Sequence, residues 1–135
     1  MNKNEALDIV RRDIGSKADV FAACASMLDY ICENSYHNLR YITFSEIKRV
    51  IDSDELSFVL NVITYLSGGD LELIDIKFEF IDDGYVEEIS KQVVSESRIT
   101  GEFYHPETGC LVNNFESKIF MYFSLSNKGG KLKCN

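Results

Sequence analysis

Apolar residues recur at helical spacing through the first half of this chain and mainly alternate with polar ones through the second. Leu7, Val10 and Ile14 share one face and predict a helix over 4–14, with a left-handed Gly15 as its stop. Ser16, followed three residues on by Asp19, opens a second helix that runs to about Glu33. Its inner stripe is Phe21, Ala25, Leu28 and Cys32. After a polar loop, residues 39–42 read as a short strand. Thr43 and Glu46 form a T-x-x-E box that opens a helix over 44–51. Asp52 and Ser53 make the turn, with Asp52 and Glu55 as caps for the next helix, over 54–67. Gly68 and Gly69 close that helix. Apolar residues cover most of its circumference, which predicts a buried helix.

Residues 71–81 alternate. Ile74, Ile76, Phe78 and Phe80 point one way, and Asp75, Lys77 and Glu79 the other. Leu71 and Leu73 have the opposite phase, which a bulge near Leu73 repairs. Val86, Ile89 and Val93 then predict a helix over 85–97; the competing reading is a hairpin turning at Asp83 and Gly84. A strand over 99–104, a turn over 105–109 and a return strand over 110–112 follow. Asn113 and Asn114 turn the chain into a last strand within 115–125, apolar on both faces and therefore expected at the centre of a sheet. The predicted class is α+β: a helical N-terminal half, then a mainly antiparallel sheet of three to five strands. Residues 1–125 are expected to form one domain and 126–135 a basic, flexible tail.

The order helix, tight turn, helix, strand over residues 40–81 resembles a winged-helix unit with its helix-turn-helix. That resemblance implies DNA binding, but the charges oppose it. Between Arg49 and Lys77 stand Asp52, Asp54, Glu55, Asp70, Glu72 and Asp75 and no base, a formal charge of −6. A phosphate-binding surface needs cations. Residues 77–107 hold eight acids against three bases, or −5, whereas Glu116 is followed by four lysines and no acid. The 135-residue chain carries −8 in all.

Such a field suits a basic protein partner. The sequence therefore predicts a non-enzymatic, acidic protein-binding domain: an immunity- or antitoxin-like inhibitor, with a basic nuclease as one possible target, or an adaptor subunit. Its face is expected at Asp52, Asp54, Glu55, Asp70, Glu72, Asp75, Asp82 and Asp83, with Tyr65 and Tyr85 as anchors. Direct nucleic-acid binding is disfavoured. The alternatives are a winged-helix DNA-binding regulator, its phosphate contacts at Arg40, Lys48, Arg49 and the tail lysines, and a small enzyme using His105 and Glu107 beside Tyr104.

Ser67-Gly-Gly-Asp70 follows a helix and opens a strand, the reverse of a phosphate loop. Two histidines and no C-x-x-C pair argue against a metal centre, and no cofactor is expected. Cys24, Cys32, Cys110 and Cys134 are expected as reduced thiols. With no apolar run long enough to span a bilayer and no signal-peptide core, the expected setting is the cytoplasm, away from membranes.

Overall fold

A computed structural model describes residues 1–34 and 36–134. The class is α+β. Helices α1 (Lys3–Ile14), α2 (Ala18–Glu33), α3 (Phe44–Ile51) and α4 (Leu56–Ser67) come first. Strands β1 (Ile74–Asp82) and β2 (Tyr85–Ile89), helix α5 (Lys91–Thr100), strand β3 (Ile119–Leu125) and a one-turn helix α6 (Asn127–Gly130) follow. The chain forms two compact units, one of residues 1–75 with 123–135, the other of residues 76–122.

In the first unit α2 is the hub, packed against α1, α3 and α4. That role explains its broad buried arc of Ala23, Cys24, Met27, Leu28 and Ile31. The stripe differs from the expected one because three neighbours cover the helix, not one. The second helix begins without the expected box: Lys17 is its N-cap and makes no side-chain bond. Gly15 is right-handed, at φ −62°. The T-x-x-E box is half realised. Thr43 Oγ1 accepts the Glu46 amide at 3.2 Å, while the Glu46 carboxylate instead takes the Tyr30 hydroxyl at 2.9 Å. Burial first, then that hydrogen bond, pushes the Tyr30 phenol up to about 12.

Helix α4 is amphipathic, not wholly buried. Val59, Val62, Ile63 and Leu66 face the core, while Ser57, Asn61 and Thr64 are exposed. Neither expected aspartate or glutamate cap bonds its N-terminus: Asp52 ends α3 in the left-handed conformation, and Glu55 makes no side-chain cap. Leu71 and Leu73 are both buried although out of phase with β1. The phase change comes from Glu72 at φ 45°, before the strand begins, in place of a bulge.

The sheet order is β2-β1-β3. β3 is thus an edge, and Phe120 and Met121 on it are exposed; the strand covered on both sides in the ladder is β1. Residues 85–97 are not one helix. Asp82 and Tyr85 pair across a two-residue turn in which Asp83 and Gly84 are both left-handed, as a type I′ hairpin requires. Ser90 then caps α5 by accepting the Val93 amide at 3.2 Å. Helix α5 occupies the start of the segment read as a strand over 99–104, of which only the Tyr104–Leu111 bridge is sheet-like. Ile42 likewise contributes a single bridge, to Phe123, after a 3₁₀ turn over Tyr36–Leu39.

The second unit's core is aromatic: Phe78, Phe80, Phe103 and Phe115 with Ile89 and Val94. Phe103 lies 5.0 Å from Phe80 and 5.9 Å from Phe115, centroid to centroid.

Residues 126–134, read from composition as a loose tail, carry definite bonds. Lys3 donates its amide to Lys133 at 2.7 Å, and Lys133 donates to Met1 at 3.1 Å. Cys32 and Cys134 form a disulfide, contrary to the expectation of reduced thiols. Their 102-residue separation hid the pairing. Cys24 is buried and Cys110 exposed. Burial lifts the Cys24 thiol from an ordinary 9.0 to about 11. The unfolded chain therefore loses that proton first, so stability holds below the ordinary thiol value and declines as pH climbs towards the folded one. Thiol titration near neutral pH should find one fast group, Cys110, a second only on unfolding, and two more only after reduction. Three fast thiols without reductant would contradict the disulfide, and four would contradict the buried Cys24 as well.

Candidate functional site

The acidic residues singled out in the sequence are divided between the two units. Asp52, Asp54 and Glu55 occupy the α3–α4 turn. Asp70 and Glu72 occupy the α4–β1 connection, and Asp75 lies at the start of β1. Both groups belong to the first unit, whereas Asp82, Asp83 and Tyr85 sit at the β1–β2 turn in the second.

Several of these groups are engaged within the chain. Arg12, at the end of α1, donates from Nη2 to Asp70 at 2.8 Å and from Nε to Asp13 at 3.1 Å. Tyr65 of α4 donates its hydroxyl to the other Asp13 oxygen at 2.8 Å. That bond, then the one from Arg12, holds the Asp13 carboxyl below its ordinary range. Burial, then the same bond, raises the Tyr65 phenol. Asp82 pairs with Lys118 at 3.3 Å. Tyr85 donates to Glu87 at 2.9 Å, and its ring lies 4.6 Å from that of His105. Both expected anchors, Tyr65 and Tyr85, thus have hydroxyls already committed and rings half-buried.

Charge by unit differs from charge by sequence window. The first unit has 10 bases and 13 acids, or −3; the second has 4 bases and 9 acids, or −5. Arg12 and Lys128 reach Asp70 across 58 residues, to its carboxylate and its carbonyl respectively. The densest acidic stretch of the sequence is therefore partly compensated, and the second unit holds more net charge in fewer residues. It also exposes Val86, Val93, Ile99, Tyr104, Leu111, Phe120 and Met121. A strand over 99–104 would set Ile99 and Tyr104 inside a sheet; with 91–100 helical, both are exposed.

Protein-family models, curated proteins and solved structures yield no match to this chain.

The His105 cluster has a definite local role. His105 Nδ1 accepts the amides of Glu107 at 3.1 Å and Thr108 at 3.3 Å. Its ring packs edge-on to Phe80 at 5.2 Å. Nδ1 is thereby spent on closing the 105–109 turn, and the tautomer this requires carries its proton on Nε2. Glu107 enters through its backbone amide. Among the described residues, no three or more His, Cys, Asp or Glu side chains gather as a metal site would need.

Replacing His105 with Ala removes two side-chain-to-amide bonds and the ring contacts, and should cost about 1–2 kcal/mol. His105→Asn, whose Oδ1 can take the place of Nδ1, should recover part of that loss. Denaturant unfolding checks both; an unchanged midpoint for the alanine variant would refute the capping role.

Proposed function

We propose that this chain is a non-enzymatic, acidic protein-binding domain whose partner is a basic protein. Its partner is inhibited by it or assembled through it; a basic nuclease neutralised by an immunity- or antitoxin-like protein is the sharpest form. One observation carries the reading: the second unit combines a net charge of −5 with seven of the ten exposed large apolar side chains found among the described residues. Carboxylates steer a cationic partner in, and apolar groups hold it after contact.

The engagement of His105 Nδ1 in its own turn supports a structural use of the histidine over a catalytic one. On compartment, the Cys32–Cys134 disulfide favours an oxidising setting over the reducing cytoplasm. No helix among the described residues is long and apolar enough to cross a membrane.

A winged-helix DNA-binding regulator remains the second reading. It is favoured by a two-residue hairpin that follows α4 where a wing would stand. Helix α4, however, presents Ser57, Asn61 and Thr64 and no cation, so contacts to phosphate would fall to residues outside the reading helix.

Affinity capture at low ionic strength, with mass-spectrometric identification, separates the readings. The expected result is a basic protein released by added salt, with duplex DNA left unretarded by the same preparation. Retardation of DNA at low salt, together with no basic protein captured, would overturn the proposal.

A further inference from the structure

We infer that the partner docks on a strip of the second unit running from α5 to the 111–117 loop, and that its docking segment combines Lys or Arg with aliphatic residues. The inference rests on the acidic-domain reading and locates its surface.

Tyr104 and Leu111 face each other across a two-stranded bridge. His105 donates to Cys110 and Val112 to Phe103, each at 2.8 Å, so the pair between them exchanges no hydrogen bonds of its own. In such a pair both side chains lie close together on one face. Phe103 next to them is buried, so this face is the outer one; Tyr104 is 55% and Leu111 54% exposed. The Tyr104 hydroxyl donates to Glu102 at 2.7 Å and fixes a carboxylate beside the pair.

Two open clefts adjoin here. One, of about 660 Å³, is lined by Leu111, Val112 and Phe115 together with Glu102 and Glu116. The other, of about 310 Å³, is lined by Val93, Glu96, Thr100, Glu102 and Tyr104. Glu102 belongs to both. Neither cleft has a Lys or Arg in its lining; Arg98 lines a third cleft, with Glu116 and Met121. The result is an apolar strip of Val93, Tyr104 and Leu111 accompanied by Glu96, Glu102 and Glu116.

Charge complementarity selects the occupant. A second copy of this chain would bring a like-charged surface and be repelled. Nucleic acid and anionic membranes are repelled on the same ground. A cationic segment with aliphatic side chains satisfies both halves of the strip: its aliphatic groups cover Tyr104 and Leu111, and its cations meet the three carboxylates.

The test uses the full chain and two labelled synthetic peptides, one alternating Leu and Lys, the other Leu and Glu. The wild-type chain should bind the cationic peptide at least about tenfold more tightly. Y104A/L111A should weaken that binding about tenfold. E96Q/E102Q/E116Q, whose exposed sites leave the core untouched, should slow association and flatten its salt dependence. Retained preference and affinity in both variants would overturn the inference alone, as would loss of binding on changing Asp52 and Asp54 to Asn instead. No preference between the peptides by the wild-type chain would overturn the acidic-domain reading and this inference with it.

Discussion

Ser126 donates twice to the backbone that leads into β1: its amide to the Leu73 carbonyl at 3.0 Å and its hydroxyl to the Glu72 carbonyl at 2.6 Å. Its hydroxyl oxygen also accepts the Gly129 amide at 2.8 Å. Gly129 lies so near the Leu73 carbonyl that a Cβ there would overlap it, so the position requires glycine. These bonds close the first unit around the two points where the chain leaves for the second unit and returns. Lys133 then bridges to Asn2, and Cys134 bonds to Cys32 on α2. A covalent closure over 102 residues contributes roughly 2–4 kcal/mol by restricting the unfolded chain. The second unit, residues 76–122, is in sequence a long insertion into the first.

Much of the helical half was legible because each helix carries its own period. Of the face expected for α1, Val10 is buried and Leu7 and Ile14 are half-buried, with Ala6 buried in addition; Ile47 and Ile51 are buried in α3. The T-x-x-E signal at Thr43 marked the start of α3 to the residue. Misreadings arise where two local signals compete or a distant neighbour decides. Val86, Ile89 and Val93 have helical spacing, yet the left-handed pair Asp83 and Gly84 turns the chain back on β1 and converts 85–89 to strand. Ile119 to Phe123 looked buried on both faces, but β3 ends as an edge with Phe120 and Met121 exposed. No local pattern announces that outcome. The Cys32–Cys134 pair is invisible for the same reason, since nothing near either cysteine specifies the other.

Charge, too, depends on distant neighbours. A window from Asp52 to Asp75 sums to −6 only while the folded neighbours are left out. Arg12 and Lys128 return positive charge to Asp70 in the fold, whereas Glu96, Glu102 and Glu116 line clefts beside exposed apolar groups. The carboxylates that stand beside exposed apolar groups thus lie outside the Asp52–Asp75 window. The histidine that looked catalytic is accounted for by a turn. What persists from the sequence reading is its physical core: carboxylates without matching cations favour a basic partner over a phosphate backbone.

The most direct measurement is an amide hydrogen-exchange footprint of the full chain with and without saturating Leu/Lys peptide. Exchange reports protection segment by segment and needs no substitution. The account predicts slowing concentrated at residues 93–117, with residues 52–75 unchanged. Slowing at 52–75 in place of 93–117, or no slowing anywhere despite binding, would contradict it.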